Sequence, residues 1–173
     1  MKAEALGALA VALSVAGPAV AAPAFSIHSP MVGPNREMSV LLTCDGKGAA
    51  PPLSWSAPPA GTKSLVLFVD DRDTPRRPFV HWVVYDIPAR VRSSDMGMAP
   101  PGARVGLNSR NEAQWLGPCP PKGMHHYVFT LYALDTTLQL ARPTERDVKR
   151  AMHGHVLARA HLVGTYERPQ GQQ

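Results

Sequence analysis

Proline governs what this chain can fold into. Eighteen prolines occur among 173 residues, about twice the usual share, and fourteen glycines add further breaks. Proline fixes φ and removes a backbone donor, so it interrupts helix interiors and central strands alike. The stretches left between the breaks are short, apolar and β-branched. Short strands separated by turns predict a mainly β chain, an antiparallel sandwich or barrel, rather than a parallel α/β sheet.

Three stretches read as strong strands. Ser64 to Asp70 (SLVLFVD) is continuously apolar up to its last residue, as expected of a strand buried on both faces. Phe79 to Ile87 (FVHWVVYDI) is aromatic and β-branched, and forms a hairpin with it across a loop from Asp71 to Pro78. His126 to Leu134 (HYVFTLYAL) is the third. Val40 to Thr43 and His161 to Tyr166 are weaker strand candidates. One helix is expected: Thr144 caps it, Asp147 completes a capping box, and Val148, Ala151, Met152 and His155 recur at helical spacing. Gly154 ends or weakens it.

The N-terminus has the build of an export signal. Lys2 precedes an uncharged apolar run, Leu6 to Gly17, too short to span a bilayer, and Ala19-Val20-Ala21 supplies small residues for cleavage after Ala21. Residues 1–21 are thus read as a signal peptide and 22–173 as one domain, periplasmic or secreted, with no transmembrane segment. The formal net charge of +5 is scattered rather than gathered into Lys/Arg blocks, so nucleic acid is not an expected partner. Cys44 and Cys119 allow either one disulfide or two free thiols; sequence does not give their separation.

Two segments carry the chemistry. In Asp71 to Pro75 (DRDTP), Asp71 and Asp73 stand two apart at the end of an extended strand and Pro75 stiffens the loop beyond. Alone this is an ordinary turn, but the hairpin returns His81 to the same end of the sheet. The second segment, Gly117 to Tyr127 (GPCPPKGMHHY), opens as a rigid irregular loop whose amides can face an anion. His125 and Tyr127 project to one face, with Phe129 and Leu131 below. Trp115, in the polar loop from Gly106 to Pro118, either plugs the core or walls a pocket.

Taken in order, TCDGKGAAPPLSWS (Thr43 to Ser56), PAGTKSLVLFVDDRDTP (Pro59 to Pro75), HWVVYDIP (His81 to Pro88), GPCPPKGMHHYVFTLYALD (Gly117 to Asp135) and GHVLARAHLVGTYER (Gly154 to Arg168) resemble the phosphatidylethanolamine-binding protein family, in its bacterial Raf-kinase-inhibitor-like branch. The resemblance runs from about Phe25 to Arg168. It implies a β-sandwich with Greek-key connections, a C-terminal helix, and one pocket accepting phosphate-like groups. It carries the ligand-site role onto Asp71, Asp73, Pro75, His81, Gly117, Pro118, His125 and Tyr127, with Trp115 where the bacterial branch has an aromatic. The family's proline between the two acids is Arg72 here, which puts a cation at the expected pocket mouth. The stretch from Gly123 to His125 is shorter than in animal relatives.

The expected function is non-enzymatic: an exported protein holding a small anionic ligand, such as a phospholipid headgroup. His81 and His125, charged beside carboxylates, would donate to the anion with Tyr127. The alternatives are a protein–protein interaction module acting on an envelope or host partner and, more remotely, a metal-dependent hydrolase. Two Asp and two His can ligate metal, but no HExxH or CxxC fixes their geometry. No GxSxG elbow, Walker loop or GxGxxG points to catalysis or a cofactor, so no cofactor and no metal is expected.

Overall fold

The computed structural model describes residues 24–33, 35–169 and 171; the export segment and its cleavage site lie outside them. Among the described residues the strands are β1 (Ile27–His28), β2 (Leu53–Trp55), β3 (Ser64–Asp71), β4 (Phe79–Pro88), β5 (Ser93–Ser94), β6 (Arg104–Val105), β7 (His125–Leu134) and β8 (Val156–Tyr166), with one α-helix, α1 (Glu145–Ala151). They form a three-stranded sheet, β1-β2-β5, and a five-stranded sheet, β6-β4-β3-β7-β8. All strand pairs are antiparallel. Within the larger sheet the order β7-β3-β4-β6 is the Greek-key arrangement, in which a returning strand lies beside the first.

β3 is the centre of the molecule, and every one of its residues is buried. Leu65, Leu67 and Val69 face the smaller sheet and pack with Trp82, Val84, Phe129 and Leu131 against Leu53 and Trp55. Val66 and Phe68 face the other way and pack with Val83, Tyr85 and Leu134 beneath Val148 and Met152 of the helical segment. A strand covered on both faces has no polar side to alternate, which explains its unbroken apolar run.

Two expectations are corrected. Val40 to Thr43 is not a strand: Val40–Leu42 forms a 3-10 turn, with the Ser39 hydroxyl accepting from Leu41 N. A short apolar run fits a buried turn as well as a strand, and periodicity cannot separate them. The helix is capped by Thr144 and Asp147 as expected, but it stops before His155. Gly154, at φ 82°, turns the chain, and His155 Nδ1 instead meets Asp135 Oδ1 at 2.8 Å. The weak candidate His161 to Tyr166 is the second half of the eleven-residue β8.

Cys44 and Cys119 form a disulfide across a sequence separation of 75. It fastens the segment around Gly117 to the turn after Leu42, a junction reinforced by Cys44 N donating to Pro118 O at 3.0 Å. Glycine is needed at 117, because a Cβ there would lie 2.8 Å from Leu42 O. Closing so long a loop restricts the unfolded chain by about 4 kcal/mol. Cys44→Ser/Cys119→Ser is therefore expected to lower unfolding free energy in urea by roughly that amount. Reductant should do the same to the wild type and nothing to the variant.

Candidate functional site

The site forms where β3, β4 and β7 end together on the face turned toward the smaller sheet. The register sets its floor: Asp71 lies opposite both Phe79 and Tyr127. Alternation along β7 sends His125, Tyr127 and Phe129 to one face. On β4 the pairing jumps between Val69–Trp82 and Asp70–Val80, leaving His81 as the extra residue of a β-bulge. A bulge re-aims a side chain. Here it brings the His81 ring 5.2 Å from that of Tyr127, edge to face. Trp115 closes the side, 6.4 Å from His81, 5.6 Å from Trp82 and stacked on Phe129 at 6.3 Å. Of the two roles open to it, the structure shows the first: Trp115 packs against the core.

Polar contacts lock this arrangement. Asp71, 4% exposed, takes His125 Nδ1 on Oδ2 at 2.7 Å and its own loop's Asp73 N on Oδ1 at 3.0 Å. His81 is gripped twice by one residue: Leu116 N donates to His81 O at 3.1 Å, and His81 Nδ1 lies 2.6 Å from Leu116 O. A carbonyl can only accept, so Nδ1 carries the hydrogen and the neutral ring keeps Nε2 bare. Burial, the largest influence, pulls the His81 pKa below its usual 6.5, against the opposing pull of Leu116 O and Asp71. Burial therefore favours the neutral His81 ring, against the carboxylate influence expected to favour its charged form. Burial likewise pushes the Tyr127 hydroxyl above its ordinary value, with the Asp71 charge adding to the effect; it remains a donor at any physiological pH.

Two donors here are orphans. Tyr127 OH and Trp115 Nε1 are both buried without a hydrogen-bond partner. A buried polar group without a partner costs about 1–3 kcal/mol, and native proteins rarely keep such groups without a use for them.

The structure brings Asp71, His81, Trp115, His125 and Tyr127 together, whereas Gly117 and Pro118 lie against the turn after Leu42. Asp73 lies at the rim rather than beside Asp71. Its half-exposed carboxylate accepts from His126 N at 2.6 Å and pairs with His126 Nδ1 at 2.8 Å, and these bonds hold its pKa below the usual carboxylate range. Pro75 sits in the exposed part of the loop. Arg72 does not stand at the mouth: its side chain turns to the opposite face and lies 3.6 Å from Asp70 Oδ2. Strand alternation, continuing past the end of β3, is the reason. His126 is the partner of Asp73 that sequence reasoning missed; the His125-His126 doublet at a strand start was its signal, one ring for each face. Among the described residues no group of three or more His, Cys, Asp or Glu is placed to hold a metal ion.

Comparison with known proteins follows the same outline. The family model described as phosphatidylethanolamine-binding protein matches residues 28–167. A UPF0098 protein of Methanothermobacter thermautotrophicus is 45% identical over 132 residues, 73% of this chain and 87% of that protein. LppC of Mycobacterium tuberculosis, whose name marks it as a lipoprotein candidate, is 40% identical over 153 residues, 87% of this chain and 76% of that protein. The crystal structure of YbcL from Escherichia coli, described as a new member of the mammalian PEBP family, matches with a TM-score of 0.78 at 29% identity. The match covers 85% of this chain and all of that one.

The lowered His81 pKa has a fixed sign. The unfolded ring binds a proton near 6.5 and the folded ring does so only at lower pH, so stability is full above 6.5 and falls as pH drops below it. His81→Gln is expected to flatten that acid-side slope in urea unfolding followed from pH 7.5 to 5. Nitrogen-15 spectra of the wild type are expected to show the Nδ1–H tautomer at pH 7.

Proposed function

Because the chain belongs to the phosphatidylethanolamine-binding protein family, we propose that it is a non-enzymatic binding protein that holds a phosphate-like anion, such as a phospholipid headgroup, between His81, Trp115, His125 and Tyr127. The observation that carries this reading is the pair of orphaned donors, Tyr127 OH and Trp115 Nε1. Each donates only to an acceptor it lacks, and an anion's oxygens are acceptors. His125 Nε2, freed because Nδ1 is held by Asp71, and His81 Nε2 complete a set of nitrogen and hydroxyl groups over an aromatic floor. A few convergent polar groups above apolar walls is the ordinary build of a small-ligand site. The half-exposed carboxylate of Asp73 would receive a headgroup's ammonium.

The neutral His81 gives binding a characteristic proton linkage. Its bare Nε2 meets an anion oxygen only after taking up a proton, so binding and proton uptake go together. Affinity then rises as pH falls and levels off only below the lowered pKa of the free ring. A periplasmic or secreted setting is supported by the apolar run from Leu6 to Gly17 and the Ala19-Val20-Ala21 site, and by the name of the mycobacterial relative.

Tyr127→Phe separates function from folding. It removes an unpaired buried hydroxyl, so unfolding free energy is expected to stay level or rise slightly. Affinity for O-phosphoethanolamine in calorimetric titration is expected to fall about tenfold or more, the worth of a hydrogen bond to a charged group. Titration in two buffers of different ionisation heat is expected to show greater proton uptake in the wild type than in His81→Gln. A Tyr127→Phe protein that binds as tightly as the wild type, or binding independent of pH between about 5.5 and 8, would sink the proposal.

A further inference from the structure

Asp70 and Asp71 are neighbours in the chain but face opposite sides of β3. The side that Asp70 faces has a groove of its own, about 590 Å³, between the β3–β4 loop, the segment around Ser109 and the start of α1. Asp70 lies in it 2% exposed, with Oδ1 lacking any hydrogen-bond partner. Its other oxygen faces Arg72 at 3.6 Å, and Glu145 across the groove is ion-paired with Lys149. Those two acids thus have basic neighbours. Arg77 and Arg146 also line the groove, are exposed, and form no ion pair among the described residues. Ser109 Oγ accepts from Val80 N at 2.8 Å, which leaves its hydroxyl hydrogen free to donate.

We propose that this groove is a second ligand site, for a small organic dianion (a phosphate monoester or a dicarboxylate) gripped by Arg77 and Arg146, with Arg72 joining them when Asp70 is protonated. The volume suits a small molecule, and paired guanidinium groups suit planar or tetrahedral oxyanions. The site is independent of the one around His81, because a two-layer strand separates them.

Protonation of Asp70 sets the grip. Burial above all, then the charge of Glu145, raises the Asp70 pKa to about 6, while Lys149 and Arg72 hold it down. Arg77 and Arg146 are the remaining charged groups lining the groove. Below that pH Asp70 hydrogen-bonds toward Glu145 as an acid, the groove loses a negative charge, and Arg72 loses its partner. Anion affinity rises as a result.

The test is a proton–nitrogen-15 titration of the chain with phenyl phosphate and, separately, succinate. Shifts are expected at Arg72, Arg77, Ser109 and Arg146, apart from any around Trp115 to Tyr127. Arg77→Ala/Arg146→Ala changes only exposed side chains, so it is expected to fold; it should weaken the groove response at least tenfold and leave the other intact. Asp70→Asn carries no charge at any pH. At pH 7.5 it is expected to bind about tenfold tighter than the wild type, as removal of one nearby like charge implies, and within about twofold at pH 5.0. Each probe's own titration is common to both proteins and cancels. A response to one probe alone identifies which dianion the groove takes. Shifts confined to Trp115 to Tyr127 with both probes, or an arginine double variant that binds as the wild type does, overturn the site. Equal affinities of Asp70→Asn and wild type at pH 7.5 overturn its control by Asp70.

Discussion

The structure depends on the burial of β3 from both sides. A strand with apolar residues on each face can sit only at the centre of a layered sheet, and it draws β4 and β7 alongside as its antiparallel partners. Everything chemical then happens where that strand runs out of apolar sequence. Its last two residues, Asp70 and Asp71, are carboxylates at 2% and 4% exposure, and the pleat sends one to each layer. A buried carboxylate must find partners or change its protonation. Asp71 finds His125 and the Asp73 amide. Asp70 has Arg72 at 3.6 Å and Glu145 and Lys149 nearby, and burial raises its pKa to about 6.

Preorganisation on the Asp71 side comes from constraints placed outside the site itself. The β-bulge at His81 aims the ring, Leu116 holds it by backbone and side chain, and the Cys44–Cys119 disulfide anchors the loop that carries Leu116 and Trp115. The result is a set of donors held in fixed positions, two of them unpaired. Unpaired buried donors weaken the fold slightly. Were a ligand bound there as proposed, such fixed donors would reduce its ordering cost, because few side chains remain to be immobilised.

How much of this was legible in sequence varies with the kind of physics involved. The three central strands were legible because burial on one or two faces writes itself into composition over eight to ten residues. The capping box at Thr144 and Asp147 was legible because capping is local. β1, β5 and β6 were not, since a strand of two residues leaves no period to read. Spacing brought His81 near Asp71, and resemblance joined that end to His125 and Tyr127. Neither could give the state of the groups. That burial lowers the His81 pKa, that Asp73 bonds His126 rather than lying beside Asp71, and that Arg72 faces away all follow from burial and alternation at a strand end. Such effects depend on what neighbouring strands place nearby.

The two faces of β3 also oppose one another in their response to acid. His81, with its pKa lowered by burial, favours the folded state above pH 6.5 and loses that advantage as pH falls. Asp70 has its pKa raised from 3.8 to about 6, so its contribution is full below about 4 and is lost as pH rises through 6. Their opposite linkages leave the chain no pH at which both are at ease. Burial thus sets the protonation of two groups at the end of the same strand, one on each face and in opposite senses.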